Sequence, residues 1–271
     1  MKPCVTVSLV PEARGGPFIF WEDLAAACAK AASLGYPAIE IFPTAPSAIN
    51  RDELASLLRK HNLSVAAFGT GGAWLRRKLT LTSANGEVRK EARAFITEMI
   101  ELAASFGAAV IVGSLQGKAE GEVSRSQALN HLGEALTALA GVAEKQKVTL
   151  LYEHLNRYET NLLNRIEDVL PFIKPFDGRV KILADLFHMS IEEASIPNAL
   201  REANEFVGHV HFADSNRRPA GLGHTEFRPV FAALRDIGYT GYVSAEAFPY
   251  PDSDAAAKQT IEAFHFHLGR V

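Results

Sequence analysis

Eight short apolar runs, most of them rich in β-branched residues, alternate along this chain with longer segments whose apolar residues recur three and four positions apart. That alternation constrains the fold more than any other feature. The runs are CVTVSL, AIEIF, SVAAFG, AVIVGS, TLLYEH, VKILAD, HVHFAD and YVSAEAF. The spacing between them predicts helices over residues 21–34, 51–60, 87–106, 124–146, 166–173, 198–206, 228–237 and 254–268. Gly35 and Gly107 close the first and third helices, and Asn50 can cap the second by accepting an orphan backbone N–H. Strands joined through helices run parallel, because each helix is the crossover that returns the chain to the same end of the sheet. No linker, charge block or change of composition divides the sequence. The expectation is an α/β fold, a single-domain (β/α)8 TIM barrel over residues 1–271, with a doubly wound sheet as the competitor.

Charge and cysteine usage narrow the partners. Lys and Arg total 28 against 31 Asp and Glu, a formal charge of −3, and no basic stretch offers a patch for a polyanion. Nucleic acid is therefore not an expected partner. The start, MKPCVTVSLVPEARGG, breaks its apolar run with proline, acid and glycine and does not read as a signal peptide. Nothing reaches the roughly 18 consecutive apolar residues of a membrane span. Cys4 and Cys28 lie in apolar surroundings without the spacing of a disulfide framework, so a reduced, cytoplasmic setting is expected.

Chemistry in such a barrel belongs at the C-terminal ends of the strands. The fifth run ends in Glu153, the sixth in Asp185, the seventh carries His211 and the eighth Glu246, each separated from the next by roughly one βα unit. A lone acid at a strand end is usually a helix cap or an ion-pair partner. Four such groups on consecutive strands converge on one mouth, where three carboxylates and an imidazole repel one another unless a cation lies between them. Hard oxygen ligands with one nitrogen suit Mn2+ first, with Mg2+ or Co2+ as alternatives, and neither cysteine lies nearby.

The segments YEHLNRYETNLLN, LADLFHMSIEEAS, GHVHFADSNRRPAGLGH and GYVSAEAF resemble the signature segments of the xylose-isomerase-like sugar phosphate isomerase/epimerase superfamily, and within it those of the ketose 3-epimerases that act on D-tagatose and D-psicose. The resemblance is dense over residues 151–248 and weaker before that. It implies that Glu153, Asp185, His211 and Glu246 hold the metal and that Glu153 and Glu246 are also the two acid/base groups. It further implies that Glu159, His188 and Arg217 contact sugar oxygens near the carbonyl, with Phe248 beside them. On residue chemistry alone, Glu159 reads as a helix-cap acid, Arg217 as a surface residue and Phe248 as packing. The implied reaction is C3 epimerisation of a ketose: one glutamate removes a proton beside the carbonyl and the other returns one from the far face, through an enediolate that the cation stabilises. Of the two histidines in HVH only one is expected to point into the barrel, and the family pattern selects His211 over His209.

Departures and rivals define what must be tested. The fourth run continues as IVGSLQG, without the aromatic residue found there in relatives, which leaves the far end of the pocket unassigned. Trp74 is expected in the loop after the third strand, lining the mouth or merely exposed. Arg76, Arg77 and Lys78 read as a solvated basic run in preference to a phosphate site, and His224, His265 and His267 as structural or exposed. The nearest rival activity is an aldose-ketose or hydroxypyruvate-type isomerase. An endonuclease-IV-like metal hydrolase and a non-catalytic sugar-binding barrel are remoter alternatives. Relatives form dimers or tetramers, so a homo-oligomer is an expectation of the resemblance alone.

Overall fold

Burial on both sides explains why the strand runs read as continuous apolar stretches: in β1 (Lys2–Ser8) every residue after Lys2 is buried. The structure is a computed structural model and describes residues 1–269. A two-residue strand, β2 (Phe20–Trp21), pairs with the end of β1 and lies outside the main ring. The ring runs β1, β3 (Ala38–Phe42), β4 (Ser64–Gly69), β5 (Ala109–Val112), β6 (Leu150–Glu153), β7 (Val180–Asp185), β8 (Val207–His211) and β9 (Tyr242–Ala245), all parallel. It closes where Lys2 to Val5 of β1 pair with Tyr242 to Ala245 of β9. Closure excludes the doubly wound sheet and bears out the (β/α)8 barrel.

The helices that cover the ring begin where short polar side chains can accept backbone N–H groups. In α1 (Leu24–Ser33) the cap is Asp23, which starts the helix later than apolar spacing alone predicts. In α2 (Arg51–His61) it is Asn50, as expected. Two short helices escape the spacing argument. The first, α3 (Gly71–Arg77), opens on two glycines; a Cβ on Gly72 would stand 2.6 Å from the Pro43 carbonyl oxygen, so only glycine lets this turn pass. Next come α4 (Gly86–Ala104), α5 (Arg125–Gln146), which carries a capping box between Ser124 and Gln127, and α6 (Ile166–Ile173). The second short helix, α7 (Leu186–Glu192), follows β7 with no loop, because the Asp185 side chain accepts from the N–H groups of Phe187 and His188. The ring is completed by α8 (Ile196–Ala203), α9 (Phe227–Asp236) and α10 (Ser253–Leu268).

Apolar packing forms two shells. The larger lies between strands and helices and includes Phe68, Phe212, Phe231 and Phe264. The smaller fills the barrel with Phe42, Ala67, Ile111, Leu151 and Leu183, above a floor of Cys4, Ala38 and Ala66. Side chains two apart on a strand share a face. Leu151 and Leu183 face the interior, so Glu153 and Asp185, two residues on, face it as well, one layer higher.

Candidate active site

That layer is polar because four strands end in it. Glu153 ends β6, Asp185 ends β7, His211 ends β8, and Glu246 stands one residue past β9. All four are buried. Their ligand atoms lie within 4.8 Å of one another. His211 Nδ1 is central: it is 3.5 Å from Glu153 Oε1, 3.5 Å from Asp185 Oδ2 and 3.4 Å from Glu246 Oε2. Gly113 at the end of β5 makes the room, since a Cβ there would stand 2.3 Å from Glu153 Oε2. Gln116 braces the same strand end, donating to the Glu153 backbone oxygen at 2.8 Å and accepting from the Tyr152 hydroxyl at 2.5 Å.

Beneath this layer Glu40 of β3, fully buried, accepts from His211 Nε2 at 2.9 Å and from His209 Nε2 at 2.6 Å. This corrects the expectation for HVH. His209 and His211 are two apart, so both face the barrel interior, and the strand does not choose between them. Glu40 is a residue that sequence reasoning missed; the available signal was one acid inside the apolar run AIEIF. Its bond fixes the neutral His211 ring with the proton on Nε2, which leaves the Nδ1 lone pair facing three carboxylates.

Such an arrangement calls for positive charge. Burial alone would lower the His211 pKa, yet Glu246, Glu40, Asp185 and Glu153 around it raise it well above the usual range, so Nδ1 takes up a proton unless a divalent cation occupies that place. Burial would raise Asp185, but His188, His211 and Arg217 hold it well below the ordinary carboxylate value. Glu153 moves the other way, raised by its own burial and by Glu246. Among the described residues Asp185 Oδ2 and His211 Nδ1 have no hydrogen-bond partner, although both are buried. Two orphaned buried ligand atoms in a quartet of three carboxylates and one imidazole fit a hard divalent cation, and the cluster could hold one.

His188, on α7, is fully buried beside the quartet. The backbone N–H and the side-chain amide of Asn156 both donate to its Nδ1, at 3.3 and 2.8 Å. The ring proton therefore sits on Nε2, which is unpartnered and lies 3.6 Å from Asp185 Oδ2. Arg217 reaches over the top, 3.0 Å from Glu246 Oε2 and 3.4 Å from Glu159 Oε1, its backbone in the left-handed region at φ 58°. A loop built on Asp214 holds that conformation: the Asp214 carboxylate accepts from the N–H groups of Ser215, Gly221 and Thr225.

These groups border a cavity of about 270 Å³ lined by Glu153, Glu159, His188, Arg217 and Glu246 at one end. The far end, which the sequence left unassigned, is walled by Val10, Phe18, Phe42 and Leu75, the Phe18 and Phe42 rings 4.5 Å apart. The aromatic wall comes from the loop after β1 and the last residue of β3, and not from the fourth strand of the ring. Phe248 does not line the cavity; its visible role is a backbone N–H donated to the Arg217 carbonyl at 2.8 Å. Trp74 lines the mouth from α3 and not from a loop. Arg76 and Arg77 pair with Glu12 and Glu91, and Lys78 lies over the Trp74 ring, which leaves the basic run engaged at the surface. His224 and His265 are exposed, and His267 packs on Phe231.

A model of the xylose isomerase-like TIM barrel family matches residues 28–266. The D-psicose 3-epimerase of Agrobacterium fabrum is 31% identical over 87% of this chain and 80% of its own. The L-ribulose 3-epimerase of a Methylomonas species is 29% identical over 91% and 88%. Among solved structures, one of an L-ribulose 3-epimerase superposes with a TM-score of 0.85 at 27% identity, covering 98% of this chain and 94% of that one.

Proposed function

The chain belongs to the xylose isomerase-like TIM barrel family, and from that premise we propose that it is a divalent-metal-dependent epimerase acting at C3 of a ketose. The observation that carries the reading is the quartet, in which two carboxylates, Glu153 and Glu246, flank an imidazole nitrogen and an aspartate oxygen that have no hydrogen-bond partner among the described residues. Glu153, Asp185, His211 and Glu246 would hold the cation, with Mn2+ the first candidate for this hard donor set. When bound, it supplies the Lewis acidity that makes a proton beside a carbonyl removable near neutral pH.

The chain's own groups do the rest. One of the two glutamates removes the C3 proton and the other returns a proton to the opposite face, which inverts the centre. Glu246 is held by Arg217, and its position is fixed before substrate arrives. His188 Nε2–H and the Arg217 guanidinium offer donors to the sugar oxygens on which charge develops. Burial of the quartet and the apolar wall of Phe18 and Phe42 limit the water around that charge. The named activities of the relatives support a small ketose as substrate and the isomerase class. A cytoplasmic location and a one-domain chain belong to the same reading.

The test follows the C3 proton of D-fructose, D-tagatose and L-ribulose in deuterated water with the metal-loaded protein and its Glu246→Gln variant. Exchange with formation of the C3 epimer, lost in the variant and after chelation, is expected. Exchange at C1 with formation of an aldose would instead identify an aldose-ketose isomerase.

A further inference from the structure

The sugar cavity is not the only hollow at the mouth. A second, of about 240 Å³, meets it along Trp74, Ser114, Leu155 and Glu159, which line both, and continues outward past Lys118 and Tyr158. Its position relative to the reacting groups is specific. Glu159, at the boundary, is 3.4 Å from Arg217 Nη1 and 3.9 Å from His188 Nδ1, so the second hollow opens beside the groups assigned to the carbonyl side. Phe18 and Phe42 line the first hollow and not the second. Trp74, shared by the two, is 37% exposed.

The hollow is braced and not a gap between loose loops. Asn161 accepts from the Ala119 N–H at 2.8 Å and donates to the Ala119 carbonyl at 2.9 Å, and the Thr160 hydroxyl donates to the Gly117 carbonyl at 2.8 Å. These bonds tie the segment after β5 to the segment after β6. On that frame Tyr158 stands out at 81% exposure with its backbone N–H held by Asn156, although a large aromatic gains nothing from water there. Lys118 and Glu120 pair across 3.4 Å and present donors and acceptors beside it. An amphipathic ring surface flanked by polar groups suits a pyranose, whose faces are C–H and whose edge is hydroxyl. Neither hollow alone reaches the roughly 300–1,000 Å³ common for small-molecule sites, whereas the two together do.

We propose that the site accepts a ketose carrying a second pyranose ring on its C1 oxygen, with that ring seated between Trp74 and Tyr158. This rests on the epimerase reading for the reacting half of the substrate and adds a subsite for the other half.

The experiment compares three sugars on the metal-loaded protein in deuterated water: D-fructose, trehalulose (glucosyl-1→1-fructose) and isomaltulose (glucosyl-1→6-fructose), with Tyr158→Ala as the variant. The expected result is C3 exchange with trehalulose at a lower KM than with fructose, and weak exchange with isomaltulose. Tyr158→Ala should raise the trehalulose KM by about fivefold to tenfold, the scale of one lost aromatic contact, and leave fructose unchanged. Fructose exchange with trehalulose inert, or a variant that changes both sugars equally or neither, overturns the subsite while the epimerase reading stands. If no free ketose exchanges, calorimetric titration decides. Trehalulose binding more tightly than fructose, and weakened by Tyr158→Ala, supports the subsite; equal or absent binding removes it.

Discussion

Replacing Glu40 with glutamine should weaken divalent-metal binding although Glu40 is not one of the quartet. Its carboxylate accepts from His211 at 2.9 Å and from His209 at 2.6 Å, and all three side chains are buried. A carboxylate offers an acceptor to each ring, whereas an amide offers one oxygen and one NH2. If the NH2 faces His211, that ring must turn a lone pair toward it and move its proton to Nδ1, the atom that faces Glu153, Asp185 and Glu246. If it faces His209, His211 keeps its bond but to a neutral acceptor, about half as strong. Either outcome lowers the basicity or availability of the nitrogen ligand. Loss of a carboxylate behind a ligating histidine costs about 10- to 100-fold in metal affinity, or about 1.4 to 2.7 kcal/mol. Titration calorimetry with Mn2+ on chelator-stripped protein measures it, and a thermal melt reports whether the variant is folded. A folded Glu40→Gln protein with a Kd within about twofold of the parent would falsify the argument that Glu40 sets the His211 tautomer.

Three further outcomes follow from the same geometry. Gly113→Ala should lower the C3 exchange rate by about 100-fold with little loss of fold, because the new methyl displaces Glu153 Oε2; an unchanged rate would mean that Glu153 does not act from where it stands. Chelation should lower the melting temperature by about 5 to 10 °C, the effect of losing a ligand held at about a hundredfold above its Kd, and an unchanged melt after verified stripping would argue against a structural ion in the quartet. Asp214→Asn should destabilise by about 1–2 kcal/mol near neutral pH. Hydrogen bonds from Thr225, Ser215 and Gly221 outweigh burial and hold the Asp214 pKa below its ordinary value. Its contribution is therefore fully present above the unfolded value near 4, and it disappears as pH falls through the folded value. The gap between parent and variant melts should narrow on acidification from pH 6; a constant gap down to pH 3 would refute the assignment.

The eight strands were legible because burial on both faces leaves continuous apolar runs, and the quartet because each member closes one of them. Elements whose signals overlap others were not. Asp185 ends β7, caps α7 and carries a ligand oxygen at once, so the helix that positions His188 begins where a loop is expected. The two glycines of α3 read as a loop because their helical role depends on the approach of Pro43, a tertiary fact. Glu40 was invisible as a partner of His211 because the two are 171 residues apart and meet only across the closed barrel. His209 is legible in HVH as well, since alternate residues on a strand share a face and both histidines therefore point inward. The pocket wall of Phe18 and Phe42 went unassigned because its two rings come from different βα units, which no single run displays.

Ring closure through β1 and β9 has a kinetic consequence. The Thr6 hydroxyl bonds the Ala245 carbonyl across 239 residues, so this seam joins the two strands farthest apart in sequence, and pairings of that range form slowly. The four quartet residues all come from β6 to β9, and these can assemble before the seam exists. Glu40 reaches His211 only once β3 is in place on the other side. The ligand set therefore depends on pairings between strands that are neighbours in sequence, whereas the hydrogen bond that orients its nitrogen depends on a contact across 171 residues.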